Sequence, residues 1–185
     1  MNDLRFVDIL ETDDAVRGKV RQWRNQDDVR KFMLSQNVIT PEEHSRWLDG
    51  LRRRGEHKFW VIYFKKIPLG AAYLQNLDTA EKSTEWGFYI GESLYRGKGI
   101  GQQILFDLLE KVFDEMELST LTTKVLSANS RAIGLYQKFN FEEMKRIRLQ
   151  DDKEVVLFQF TKSDWMRSKE ALKMLCEERA DQSAK

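Results

Sequence analysis

The sequence predicts a single mixed α/β domain, on three observations. Strand-like and helix-like segments follow one another in the order β-α-α-α-β-β-β-α-β-α-β-β-α. A strand-like run, Thr84 to Ile90, passes through a glycine-rich turn into a strongly amphipathic helix. The 185 residues, 41% hydrophobic and 33% charged, suit one core in a soluble globular chain, and no repeat or Pro/Gly/Ser linker divides them.

Leu4 to Ile9 reads as the first strand. Thr12 or Asp13 can cap a helix running toward Trp23, because a short side-chain oxygen satisfies the unpaired N–H groups of a first turn. Asp27 is expected to cap a shorter helix through Met33. Thr40-Pro41-Glu42-Glu43 combines a cap, proline at the first helical position and a glutamate three residues on, and predicts a helix through Leu51. The following Arg52-Arg53-Arg54 reads as a solvated helix end.

Lys58 to Phe64 and Leu69 to Asn76 predict a hairpin across Lys65–Pro68, with Thr84 to Ile90 as its third strand. Ile100, Ile104, Leu105, Leu108, Leu109, Val112, Phe113 and Met116 recur every three or four residues, so the helix after the turn buries one face. Thr120 to Leu126 is β-branched and strand-like. The strand–helix–strand step from 84 to 126 requires a parallel pair with a right-handed crossover. A short helix capped by Asn129 ends near Phe139. Phe141 to Leu149 and Val155 to Thr161 predict two more strands, joined at Asp151-Asp152-Lys153, and residues 163–185 a C-terminal helix with a charged end.

The most informative stretch is Arg96-Gly97-Lys98-Gly99-Ile100-Gly101. Its glycines can take φ > 0, and the helix behind them presents unpaired N–H groups and a positive dipole end. That combination cradles a phosphate or pyrophosphate, and Arg96 and Lys98 bring positive charge to it. The turn is not G-x-x-x-x-G-K-[ST], so it indicates no P-loop; an ordinary strand–helix connection is the plainer alternative. In the second informative stretch, Asn129, Ala132, Ile133 and Tyr136 share one helical stripe, placing a polar cap and a phenol on the same face. A capped helix with a half-buried tyrosine is the alternative there.

In this order the two stretches resemble the motifs of the GNAT superfamily of N-acetyltransferases, over residues 4–162. Arg96, Gly99 and Gly101 match its Arg/Gln-x-x-Gly-x-Gly/Ala turn; Asn129, Ala132, Leu135, Tyr136, Asn140 and Phe141 match its second motif. The resemblance implies a mostly antiparallel sheet of six to seven strands flanked by helices. Its parallel pair splays apart, and the pantetheine arm of acetyl-CoA enters the gap. It implies a coenzyme site of Phe88, Ile90, Arg96, Gly97, Lys98, Gly99, Ile100, Gly101, Asn129, Ala132 and Tyr136. Residues 1–165 are the acetyltransferase domain on this reading, and 166–185 a C-terminal helical tail. Tyr136 is the expected general acid, a phenol that stays protonated at neutral pH and donates to the departing sulfur. Related enzymes place a glutamate base twelve residues before that tyrosine, where this chain has Lys124. Glu85, on the neighbouring strand, is the substitute candidate; a solvent-facing strand carboxylate paired with a lysine is its competing reading.

For the acceptor, Trp23-Arg24-Asn25, Arg30-x-Phe32-Met33, Thr40-x-Glu42-Glu43-His44-x-x-Trp47 and Glu85-Trp86-Gly87-x-Tyr89-Ile90-Gly91 resemble the acetyltransferases of pseudaminic acid synthesis. That resemblance implies the 4-amino group of a UDP-linked amino-dideoxy sugar as acceptor, with Arg24, Asn25, Arg30, Met33 and His44 at its site. Core packing is the competing reading for Phe32 and Trp47, and a helix surface for His44. Acetyl transfer to protein N-termini or polyamines, and a catalytically silent acyl-CoA-binding module, stay open.

A net charge of +1 gives no global case for nucleic acid. The longest wholly apolar run, Phe59 to Phe64, is too short to span a bilayer, and the N-terminus lacks a secretory pattern. One cysteine, Cys176, precludes an internal disulfide and sits in an acidic setting unsuited to a nucleophile. No metal-ligand spacing is present, so a metal-free cytoplasmic enzyme is expected. The C-terminal helix leaves a homodimer open.

Overall fold

The computed structural model of the chain describes residues 3–53, 57–149 and 152–183, with the backbone alone over 179–183. Arg54, Asp151 and residues 184–185 therefore lie outside the described residues. In chain order the strands are β1 (Leu4–Asp8), β2 (Lys58–Phe64), β3 (Ile67–Asp78), β4 (Ser83–Ile90), β5 (Thr120–Leu126), β6 (Glu142–Arg148) and β7 (Glu154–Thr161). The helices are α1 (Asp14–Asn25), α2 (Asp27–Arg30), α3 (Pro41–Arg53), α4 (Ile100–Glu110), α5 (Ser130–Lys138) and α6 (Lys162–Ser183). All seven strands form one sheet, ordered β1-β2-β3-β4-β5-β7-β6. Every neighbouring pair is antiparallel except β4–β5, so the expected α/β sheet with one parallel pair is what forms.

Alternation along the strands divides the core between the two faces. Trp60, Ile62, Ala72, Leu74 and Trp86 lie under α4, α5 and α6. Val61, Ala71 and Tyr89 lie on the opposite face, against Val20 and Trp23 of α1 and Val29 of α2. α1 seats closely because Gly91 has no side chain: a Cβ there would fall 2.1 Å from the Trp23 ring. The Trp23 indole N–H then donates to Glu92 (3.1 Å), tying α1 to the end of β4.

The caps behave as their residue types require. Asp13 accepts from the Val16 N–H at 2.8 Å. Thr40 and Glu43 form a reciprocal capping box, with bonds of 2.8 and 3.2 Å. α2 is shorter than expected: it ends at Arg30, Asp27 is its first residue, and the preceding Gln26 makes no side-chain cap. Met33 thus lies in the irregular segment leading to α3, and its side chain is free to face a cleft.

α4 carries the stripe read from the sequence. Ile104, Leu105, Leu108 and Leu109 are wholly buried, and a π-helical turn over Lys111–Glu115 brings Val112 and Phe113 into the same core. Each such side chain stabilises the packing by about 1.5–3 kcal/mol, which holds the N-terminus of α4 in place. α6 packs across it: Trp165 lies against Phe106 (5.3 Å) and donates its N–H to Asp114 (2.9 Å), and Leu172 and Cys176 enter the main core. The boundary expected at 165/166 falls inside α6. Burial pushes the Cys176 thiol up to about 12 and leaves it unreactive.

Candidate active site

The β4–β5 pair holds at Ser83–Thr120, Thr84–Leu121 and Glu85–Thr122, and there it stops. Beyond Glu85, β4 keeps β3 as a partner and β5 keeps β7, so their facing edges part. Backbone N–H and C=O groups along such an opening need partners from elsewhere. A cleft of about 740 Å³ runs through the gap. Phe88, Ile90, Arg96, Gly97, Gly99, Gly101, Asn129, Ala132 and Tyr136 line it. Of the expected coenzyme residues, Lys98 and Ile100 do not; Ile100 opens α4 and packs on the core.

The glycine turn has the conformation its composition allows. Gly97 and Gly99 take φ of +79° and +81°, and the space a Cβ would fill at Gly97 is open. Gly99 occupies the cap of α4 without any side-chain bond, and its carbonyl accepts from Gln102 N–H at 2.9 Å. The N–H groups of Ile100 and Gly101 head the helix, beyond reach of its own carbonyls. Arg96 behaves differently from a free cation. Its guanidinium donates to the Ile90 and Gly91 carbonyls (2.7 and 3.0 Å) and pairs with Asp28. It fastens the turn to β4 and α2. Asn129 caps α5 by accepting from the Ala132 N–H at 3.2 Å.

Tyr136 is 5% exposed and packs among Trp86, Phe141 and Phe158 at 5.2–5.7 Å. Burial raises its pKa, against the opposing effect of a hydrogen bond with Thr123. Tyr136 lies on the α4–α6 face of the sheet. Glu85 and Lys124 point to the other face, by alternation from Trp86 and Thr123. The gap between β4 and β5 is what connects them. Lys124 Nζ donates to one Glu85 oxygen at 2.6 Å, and Gln75 Nε2 donates to the other at 2.7 Å. Glu85 thus has the lysine partner that its competing reading described, but its side chain is only 11% exposed rather than solvent-facing.

A second cleft, also about 740 Å³, lies between the sheet and α1 and α3. Arg24, Met33 and His44 line it; Asn25 and Arg30 do not. Asn25 is spent on holding the segment before α3: its amide donates to the Ile39 carbonyl and accepts from the Ile39 N–H, at 2.9 and 2.8 Å. Arg30 pairs with Asp27. His44 is buried, not on the helix surface, and burial together with the Arg21 charge holds its pKa below the ordinary imidazole value. Trp47 and Phe32 are partly buried, lining the second and first clefts respectively. An aromatic row, His44–Trp47–Phe59–Tyr73, walls the second cleft with ring separations of 4.7–6.0 Å.

The two clefts share Met33, Tyr73 and Tyr89. Four buried side-chain polar atoms among the described residues lack a hydrogen-bond partner, and two line each cleft. They are Trp86 Nε1 and Gln102 Oε1 in the first, Arg24 Nη1 and His44 Nε2 in the second. Such an atom costs about 1–3 kcal/mol when nothing pairs with it, so these walls suit ligands bearing polar groups. The glycine cradle and the unpaired strand edges fit an elongated diphosphate-bearing ligand with amides along its arm. Sequence reasoning missed Tyr73, Gln75, Gln102 and Thr123. Gln102 sits in the first turn of α4, just behind the glycine turn; the other three belong to no spaced motif, and the pairing of β3 with β4 and of β5 with β7 brings them to the site.

A sheet opened at its parallel pair, with a glycine cradle at one end of the gap and a tyrosine at the other, defines an acyl-coenzyme-A transferase fold. The chain belongs to the GNAT acetyltransferases: the family model for the acetyltransferase (GNAT) domain matches residues 4–142. It is an N-acetyltransferase that uses acetyl-CoA. Acetyltransferase PseH of Campylobacter jejuni is 31% identical over 120 residues, which are 65% of this chain and 73% of that protein. The crystal structure of Campylobacter jejuni PseH in complex with acetyl coenzyme A superposes with a TM-score of 0.67 at 19% identity, over 85% of this chain and 98% of that one. Spermidine N-acetyltransferase from Vibrio cholerae, in complex with CoA and spermine, superposes with a TM-score of 0.81 at 14% identity, over 90% and 99%. At these identities the superpositions establish the fold.

Proposed function

We propose that the acceptor is the 4-amino group of a UDP-linked amino-dideoxy sugar, as in pseudaminic acid synthesis. The carrying observation is the charge of the second cleft. Arg21, Arg24, Arg46 and Lys58 line it against one carboxylate, Glu43, and Arg24 holds an unpaired buried N–H. A diphosphate matches that lining, and a polycation does not. The row from Trp47 to Tyr73 offers faces for a uracil or an apolar sugar edge. The sequence likeness to PseH points the same way.

In this reading the diphosphate of acetyl-CoA rests on the N–H groups behind Gly97 and Gly99, with Arg96 fixing the turn rather than supplying charge. Phe88, Ile90, Asn129 and Ala132 line the path of its arm. The amine enters from the α1–α3 face, where Met33, Tyr73 and Tyr89 join the clefts. Tyr136 donates its proton to the sulfur from the opposite face as the C–S bond breaks, and Glu85, each of whose oxygens keeps a lone pair beyond its bond to Lys124 or Gln75, takes the amine's proton. Holding the partners in line contributes up to about 7–11 kcal/mol, so no covalent enzyme intermediate is required.

The test is a panel assay of thiol release from acetyl-CoA with UDP-4-amino sugars, spermidine and short peptides. Turnover with the nucleotide sugars at least a hundredfold above the others is the expected result. Rapid turnover of a peptide or spermidine, with none on the nucleotide sugars, overturns the assignment.

A further inference from the structure

Three residues form a polar row at the point where the sheet divides. Glu85 is the last residue of β4 to pair with β5, and Lys124 lies two residues beyond the corresponding Thr122. Lys124 lines the first cleft; Gln75, on the far side of Glu85, lines the second. The Lys124–Glu85–Gln75 bonds, 2.6 and 2.7 Å, therefore run from one cleft to the other beneath their junction.

Among the described residues, the carboxylates that line the clefts or end the β4–β5 pairing are Glu85, Glu43 and Asp28, and each has a hydrogen-bond partner. Glu85 holds Lys124 and Gln75. Glu43 accepts from the Thr40 N–H that starts α3. Asp28, in the wall of the first cleft, is paired with Arg96. Opposing them are the positive charges of Arg24, Lys31, Arg131 and Lys124 itself. At the point where the strands part, an acceptor with a second ammonium group meets a carboxylate already paired with a cation, and finds a lysine in its way.

We propose that Lys124 is a specificity-determining residue that rejects polycationic amines. Its ammonium occupies the carboxylate at the point where the strands part, which could otherwise receive an acceptor's second charge, and repels that charge directly. This rests on the acetyltransferase reading of the junction but not on the nucleotide sugar. The fold shared with a spermidine N-acetyltransferase thus leaves acceptor charge to be decided by side chains at this point.

The experiment titrates spermidine calorimetrically into the coenzyme-A-bound protein, comparing wild type with Lys124→Met, Lys124→Glu and Lys124→Arg. A charge a few ångströms away in a half-solvated site changes affinity by about tenfold. Lys124→Met should therefore bind spermidine at least about tenfold more tightly than wild type, Lys124→Glu more tightly again, and Lys124→Arg no better than wild type. Equal binding by all four proteins overturns the proposal, and so does tight binding by wild type. Thermal melts and coenzyme A affinity identify any variant that has lost its fold, and Lys124→Gln replaces it. Failure of UDP-4-amino sugars to react in the panel assay would remove the acceptor assignment and leave this comparison standing, because it reads binding.

Discussion

Tyr136→Phe separates the proposed proton donor from the packing around it. The ring keeps its neighbours Trp86, Phe141 and Phe158, so the core volume is unchanged. What is lost is the hydroxyl and its bond with Thr123, itself 2% exposed. A buried hydroxyl left without its partner costs about 1–3 kcal/mol, and at about 2–4 °C per kcal/mol for a chain of this size Tm should fall by a few to about 10 °C. General acids contribute about 10²–10⁴ in rate, so kcat should drop at least tenfold while the Kd for coenzyme A stays within about threefold. Burial raises the phenol's pKa, so wild type should show no loss of rate from its ionisation below about pH 10. The assays are stopped-flow thiol release across pH, calorimetry with coenzyme A and a thermal melt. A folded variant with kcat within twofold of wild type, or a wild-type alkaline limb near pH 8 that the substitution abolishes, would refute the assignment.

Gly99→Ala tests the cradle: a φ of +81° strains an L-residue by about 1–2 kcal/mol, so the KM for acetyl-CoA should rise about five- to thirtyfold with kcat changed less than threefold. Steady-state kinetics in acetyl-CoA check it, and an unchanged KM would show that the turn does not bear on the coenzyme. His44 is held neutral in the fold because burial lowers its pKa. The unfolded chain then binds more protons just below about pH 6.5, so stability should fall as pH drops through that value, by at most about 1.4 kcal/mol per pH unit. Denaturant melts at pH 7.5 and 5.5 should show less of this acid sensitivity in His44→Gln than in wild type; equal slopes would place the titrating group elsewhere.

Local patterns were read well where one short segment contains both the cause and the effect. The capping box at Thr40 and Glu43 and the Asn129 cap each need only a helical turn of sequence, the α4 stripe a single continuous segment, and all three form as expected. The reading of α2 was less successful. Its residues permit a helix to Met33, but the chain leaves the helix at Arg30, and the segment that follows is pinned back onto α1 by Asn25 and Ile39. That same pinning explains why Asn25 turned from the acceptor site to which it had been expected to belong. Arg96 was read as a charge beside phosphate, and only the approach of Asp28, 68 residues earlier, shows where its guanidinium goes.

From the amino-acid order alone came the class of fold, the glycine turn and the tyrosine helix, because backbone freedom, caps and apolar periodicity are local properties. The tertiary structure decided which polar groups meet. Glu85 finds Lys124 across the parallel pair and Gln75 across the hairpin, and the acid and base candidates stand on opposite faces of a sheet that is open between them. Ion pairs and cleft walls of this kind join residues tens of positions apart, and their distances are set by strand register and by the burial of the helices beneath, which no single stretch of sequence contains.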